Sequence, residues 1–115
     1  MKNLRNKVQL IGFLGQDAEL KKLTTGTTLA KFSLGTSETY KDAKGERITE
    51  TQWHNIVIWG KLAEVVAQYT SKGSEIAVEG KLVNRSYDDK DGNKRYITEV
   101  IANDVLFLNS AKKAS

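Results

Sequence analysis

Trp53 and Trp59 bracket the run QWHNIVIW, and the side chains between them alternate. A period of two puts Trp53, Asn55, Val57 and Trp59 on one strand face and His54, Ile56 and Ile58 on the other. At about 3.3 Å per residue the two indoles lie roughly 20 Å apart, a spacing that suits two points on an extended ligand better than one pocket. Two more aromatics, Tyr40 and Tyr87, fall in polar stretches close to basic residues. Flat π-faces flanked by cations are the combination on which unpaired bases stack while phosphates are neutralised. Lys31, Lys41, Lys44, Arg47, Lys61, Lys81, Arg85, Lys90, Lys94 and Arg95 are the candidate cations. Taken singly, most of these lysines read as solvated surface, and Tyr40 reads equally as chance exposure or as a stacking residue. Four aromatics at these positions move the aggregate toward binding.

Catalysis has little to work with. The single histidine, His54, shares its face with two isoleucines and has no cysteine or second histidine to complete a metal site, so a satisfied buried or interface histidine is the better reading. Carboxylates are spread over turns and outward strand positions without a pair that spacing would set across a cleft. Gly12 and Gly15 are not followed by the Lys-Ser or Lys-Thr pair of a phosphate loop. The run Asp88 to Asn93, DDKDGN, lacks the glutamate that closes a calcium loop and reads as a hairpin tip with an Asp-Gly turn. Neither metal nor cofactor is expected, and an enzyme ranks last.

Around these residues the elements follow from periodicity. Lys7 to Leu14 is a first strand, apolar on both faces apart from Gln9 and Gly12, so one face meets a core and the other is a candidate subunit contact. The turn Gly15-Gln16-Asp17 lets it bend and continue from Ala18 to Leu23. Thr28 to Thr36 is a second strand with Ala30, Phe32 and Leu34 inward, and Ser37 to Arg47 is a polar hairpin tip leading to the strand Thr49 to Trp59. Leu62, Val65, Val66 and Tyr69 then recur at helical spacing, with Lys72 and Gly73 as the stop. Ser74 to Tyr87 is a fourth strand and Lys94 to Leu108 a fifth. An all-β fold is expected: an OB-type, five-stranded Greek-key barrel with one α-helix between strands 3 and 4. Length, 115 residues, allows one domain, placed at 1–110, followed by a loose tail at 111–115.

A formal charge of +4 modestly favours an anionic partner. The basic N-terminus, with Lys2, Arg5 and Lys7, reads as a solvated lead-in. The apolar run after it is too short for a secretory signal or a membrane span, so a cytoplasmic protein without membrane partners is the simplest expectation.

The segments NKVQLIGFLGQD, LGTSETYKD, TQWHNIVIWGKLAEVVAQYTSKGSEIAVEGKL and DGNKRYITEVIANDV together resemble the bacterial single-stranded DNA-binding protein (SSB) family, over about residues 5 to 108. The Trp-His pair followed by Gly-Lys-Leu-Ala-Glu and a Lys-Gly-Ser strand start is a specific signature. The resemblance implies a homotetramer, a dimer of dimers, that wraps single-stranded DNA without sequence preference in replication, recombination and repair at the bacterial nucleoid. The family's stacking aromatics fall on Tyr40, Trp53, Trp59 and Tyr87, with Trp59 where phenylalanine is common. Its subunit-contact histidine falls on His54, and its dimer-pairing strand on Lys7, Val8, Gln9, Leu10 and Ile11. The resemblance also implies a glycine- and proline-rich tail with an acidic tip that recruits replication and repair proteins. No such tip precedes Ser115, so that docking is expected only where the native protein carries the tail. Two other binding classes share the barrel: a protein-binding assembly module like a primosome accessory factor, and an RNA- or oligosaccharide-binding barrel.

Overall fold

The computed structural model describes residues 4–109. Its elements in chain order are β1 (Val8–Leu14), β2 (Glu19–Lys22), β3 (Thr28–Lys41), β4 (Arg47–Trp59), α1 (Lys61–Tyr69), β5 (Glu75–Asp88) and β6 (Lys94–Asn109). The sheet runs β1-β5-β6-β4-β3-β2, and β1 also pairs with β3 through Phe13 opposite Gly35 and Leu14 opposite Leu34. That second pairing closes β1, β5, β6, β4 and β3 into a five-stranded barrel, leaving β2 on the outer edge of β3. Neighbours are antiparallel except β4 and β6, which are parallel. This is the expected OB arrangement.

Closure depends on Gly12. A Cβ there would collide with the carbonyl oxygen of Gly35, so β1 and β3 approach this closely only because position 12 has no side chain. The barrel interior is filled by the inward positions of the strands, Leu14, Phe32, Leu34, Ile56, Ile58, Ile76 and Val78 among them, as the alternation requires.

Three elements differ from the sequence expectation. The continuation of the first strand is a separate short strand, β2, paired with β3 from Glu19 opposite Lys31 to Lys22 opposite Thr28. Ser37 to Lys41 belong to β3 rather than to a polar tip, because cross-strand bonds between Ser37 and Thr51 (3.1 Å) and between Thr39 and Thr49 (3.2 Å) hold the ladder together in water. The helix ends at Tyr69, before the Lys72-Gly73 stop: the Thr70 backbone N–H and hydroxyl both donate to the Val66 carbonyl, at 3.0 and 2.6 Å. Its most buried positions are Ala63 and Val66, which turns Tyr69 outward against the edge of Phe107, with ring centroids 6.3 Å apart. At its other end Gly60 takes φ 77°, a left-handed value that lets the chain leave β4 directly into α1. Of the N-terminal lead-in, Asn6 is fastened by two hydrogen bonds to the Leu82 backbone, while Lys2 and the expected tail at 111–115 lie outside the described residues.

Candidate nucleic-acid interface

The site is built on β4. Its odd positions point out of the barrel and are matched in register by β3: Gly35 opposite Trp53, Ser33 opposite Asn55, Lys31 opposite Val57 and Leu29 opposite Trp59. On the other side Asn55 aligns with Glu99, and β5 continues the same outer face with Val83 opposite Glu99, Arg85 opposite Ile97 and Tyr87 opposite Arg95. One wall therefore carries Trp53, Trp59, Lys31, Arg85 and Tyr87. Trp53 is 60% exposed, Trp59 45% and Tyr87 48%.

Trp53 is held on a seat of two glycines. A Cβ at Gly15 would stand 2.6 Å from the indole and one at Gly35 2.8 Å from it, so the ring lies over bare backbone. Contact on that side leaves the opposite π-face in solvent. Between the tryptophans the wall dips into an open depression of about 220 Å³ lined by Lys31, Ser33, Asn55, Arg85 and Glu99.

Two of these residues form an ion pair. Arg85 Nε donates to Glu99 Oε1 at 2.8 Å and a terminal guanidinium nitrogen donates to Glu99 Oε2 at 3.3 Å. The Arg85 hydrogen bond holds the Glu99 carboxyl below the usual carboxylate range in spite of burial, and Lys31 adds to the effect; the Arg85 guanidinium is raised in return.

The remaining sequence-derived residues are placed differently. Tyr40 is 44% exposed and opposes Ile48, an even position, so it projects from the other side of the β3–β4 arm than Trp53 does. Its hydroxyl donates to Glu50 Oε1 at 2.9 Å, which holds the phenol above its ordinary value, with a smaller push from Glu38. Lys41 and Arg47 are paired at the far end of that arm on the Trp53 side, and Lys44 is in its tip. Lys61 begins α1 just beyond Trp59. Lys90 lies in the β5–β6 tip, Lys94 opposes Asp88 at its base, and Arg95 bonds the Asp89 carboxylate at 2.8 Å. Lys81 lines a separate cleft of about 500 Å³ with Asn6, Lys7 and Asn103, which none of the four aromatics reaches.

Of the proposed contact strand, Val8 and Leu10 pack against the barrel core. Gln9 and Ile11 face outward together with Phe13, and Ile11 aligns with Ala77, which aligns with Leu106, to give an exposed apolar strip. Lys7 pairs with Glu79 at 2.8 Å, and His54 is half-buried with a ring nitrogen 3.0 Å from the Thr36 hydroxyl.

Sequence reasoning did not single out Glu99, Phe13, Leu106 or the seat of Trp53. A lone charge in the run Ile97 to Ala102, whose other members are apolar apart from Thr98, was a signal for Glu99. The seat carried none, since Gly15 and Gly35 are far from Trp53 along the chain.

A closed five-stranded barrel with one helix, bearing exposed aromatics and cations on one outer wall, is an OB-fold. Residues 5–108 match the single-strand binding protein family model, and the chain belongs to that family. It is similar to single-stranded DNA-binding protein 1 of Chlorobaculum tepidum, 45% identical over 91% of this chain and 65% of the relative. It is also similar to the single-stranded DNA-binding protein of Neisseria meningitidis, at 41% identity over 96% of this chain and 63% of the relative. The chain thus spans somewhat less than two thirds of these curated relatives. A Plasmodium falciparum SSB solved in complex with single-stranded DNA superposes with a TM-score of 0.84 at 31% identity, covering 95% of this chain and 99% of that one.

Proposed function

We propose that this chain binds single-stranded DNA without sequence preference, in replication, recombination and repair. Unpaired bases stack on Trp53, Trp59 and Tyr87, with Tyr40 engaging strand that turns around the first arm, while lysines and arginines neutralise phosphate. The observation that carries this reading is Trp53 seated on Gly15 and Gly35 with its other face open. A ring already fixed in place loses little freedom when a base lands on it, so most of the stacking energy becomes affinity. The named relatives and the DNA-bound neighbour support the choice of DNA over glycan or protein.

The functional unit is proposed to be a homotetramer in the cytoplasm, built first through the outer face of β1, where Gln9, Ile11 and Phe13 are exposed. Lys7, Val8 and Leu10 support that face from beside and beneath it, and His54 is proposed as a further subunit contact. Recruitment of replication and repair proteins is assigned to an acidic tail wherever the native protein has one.

Titration with poly-dT is the test. Tryptophan emission is expected to be quenched on binding, and binding to weaken as salt rises. Unchanged emission at low salt would overturn the reading.

A further inference from the structure

Glu99 is an anomaly on a wall meant for a polyanion. It is 5% exposed, points out of the barrel beneath the depression between the tryptophans, and shares that depression with one other acid, Glu19, which lies opposite Lys31 at the edge of the sheet. A carboxylate there repels phosphate, and an ion pair whose Arg85 side is 46% exposed contributes only modestly to stability. The bidentate bond to Arg85 gives a reason for it. Arginine has five N–H donors in a rigid fork. Glu99 engages two of them, which fixes the plane of the guanidinium and leaves the others directed away from the carboxylate, at the rim of a depression that Lys31 also lines.

We propose that Glu99 is a positioning residue for DNA: it pre-orders Arg85 beside Lys31, so that a fixed pair of cations meets one backbone phosphate of the strand that spans Trp53 and Trp59. This rests on the single-stranded DNA reading above. An unordered arginine must lose its rotamer freedom on binding, whereas Arg85 has lost it already.

The sign of one substitution separates this from a bystander role. Glu99→Gln keeps the shape, removes a negative charge and raises the net charge by one. A bystander carboxylate gives tighter oligo-dT binding, or none lost. A positioning carboxylate gives binding about 3- to 10-fold weaker despite the added positive charge, with the slope of log affinity against log salt shallower by about 0.7, one phosphate contact on a single strand. In an Arg85→Ala background the same substitution is expected to weaken nothing further, because the group it positions is gone. Arg85→Lys gives a second route if Glu99→Gln does not fold: it keeps the charge but loses the fork, and is expected to bind nearly as weakly as Arg85→Ala. Equal or tighter binding by Glu99→Gln, or wild-type affinity in Arg85→Lys, overturns the proposal while wild-type quenching by poly-dT leaves the general function standing. If the wild type itself fails to bind, both fall together.

Discussion

Trp53 divides its surface between the fold and the solvent, and the division sets what its loss does. Trp53→Ala is expected to weaken oligo-dT binding roughly 5- to 150-fold, the equivalent of about 1–3 kcal/mol for one base stack, a magnitude obtained on proteins of this class. Anisotropy of a labelled oligonucleotide would measure it, and a loss under twofold would remove Trp53 from the interface. Gly35→Ala tests the seat without touching DNA. Its Cβ would stand 2.8 Å from the indole, so the ring must lift, and affinity should fall toward that of Trp53→Ala while the thermal midpoint moves little. Gly12→Ala meets backbone oxygen instead of a movable ring, and there the expected loss is the fold itself. The Glu99 carboxyl carries a pH signature as well. Its folded value lies below the ordinary 4.5 because Arg85 bonds the charged form, so the stabilisation it contributes is present above 4.5 and is lost as pH falls through the lower folded value. Stability of Glu99→Gln, followed by urea midpoint at stepped pH, should lose that part of the acid slope; a slope identical to wild type would rule out the linkage.

At the scale of elements, the two hairpin arms are built alike. Asp42 Oδ1 accepts the N–H groups of Lys44 and Glu46, and Asp89 Oδ1 accepts those of Asp91 and Asn93, each at 2.9 to 3.0 Å, with Gly45 and Gly92 at positive φ in the same place. The pattern Asp-x-x-Gly occurs at both tips and was legible in the sequence, as was the DDKDGN run as a tip. The succession of the long strands along the chain, the helix between β4 and β5, and the outward Trp53 and Trp59 were legible too, because each follows from a local period. The length of the β3–β4 arm was not, since Ser37 to Lys41 look polar until their cross-strand partners on β4 are known. The same holds for Tyr40, whose side of the arm is set by its register with Ile48, and for Arg85, whose partner is on another strand. Asp89→Ala should remove three bonds from one tip, including the one to Arg95. Faster amide exchange across 89–95 with an almost unchanged global midpoint is the expected result, and uniform acceleration throughout the barrel would show that the tip supports more than itself.

At the scale of the whole molecule, the arms and the β1 face have opposite needs. The radius of gyration is 16.3 Å, beyond the roughly 13 Å of a compact domain of this size, because β3–β4 and β5–β6 run out past the core they share. The arms expose charged groups, hydroxyl pairs and the amphipathic rings of Tyr40, Tyr87 and Tyr96, side chains that tolerate water. The strip formed by Ile11, Phe13 and Leu106 does need apolar cover, since each is well exposed and β1 and β6, which carry them, are separated only by β5 with the small Ala77 between. If that strip is where protomers pair, Ile11→Glu places a charge against its own copy across a two-fold axis and should split the assembly, seen as a lower mass by light scattering. Phe13 adjoins the Trp53 seat through Gly35, but Ile11 lies two positions further along β1, so the separated protomer should still be quenched by short oligo-dT. What it should lose is the affinity gained when one long strand engages several linked sites, about 10²- to 10⁴-fold on long poly-dT. A variant that keeps its native mass would place the pairing surface elsewhere, and one that loses short and long oligonucleotides equally would mean that the binding wall is completed by a second copy.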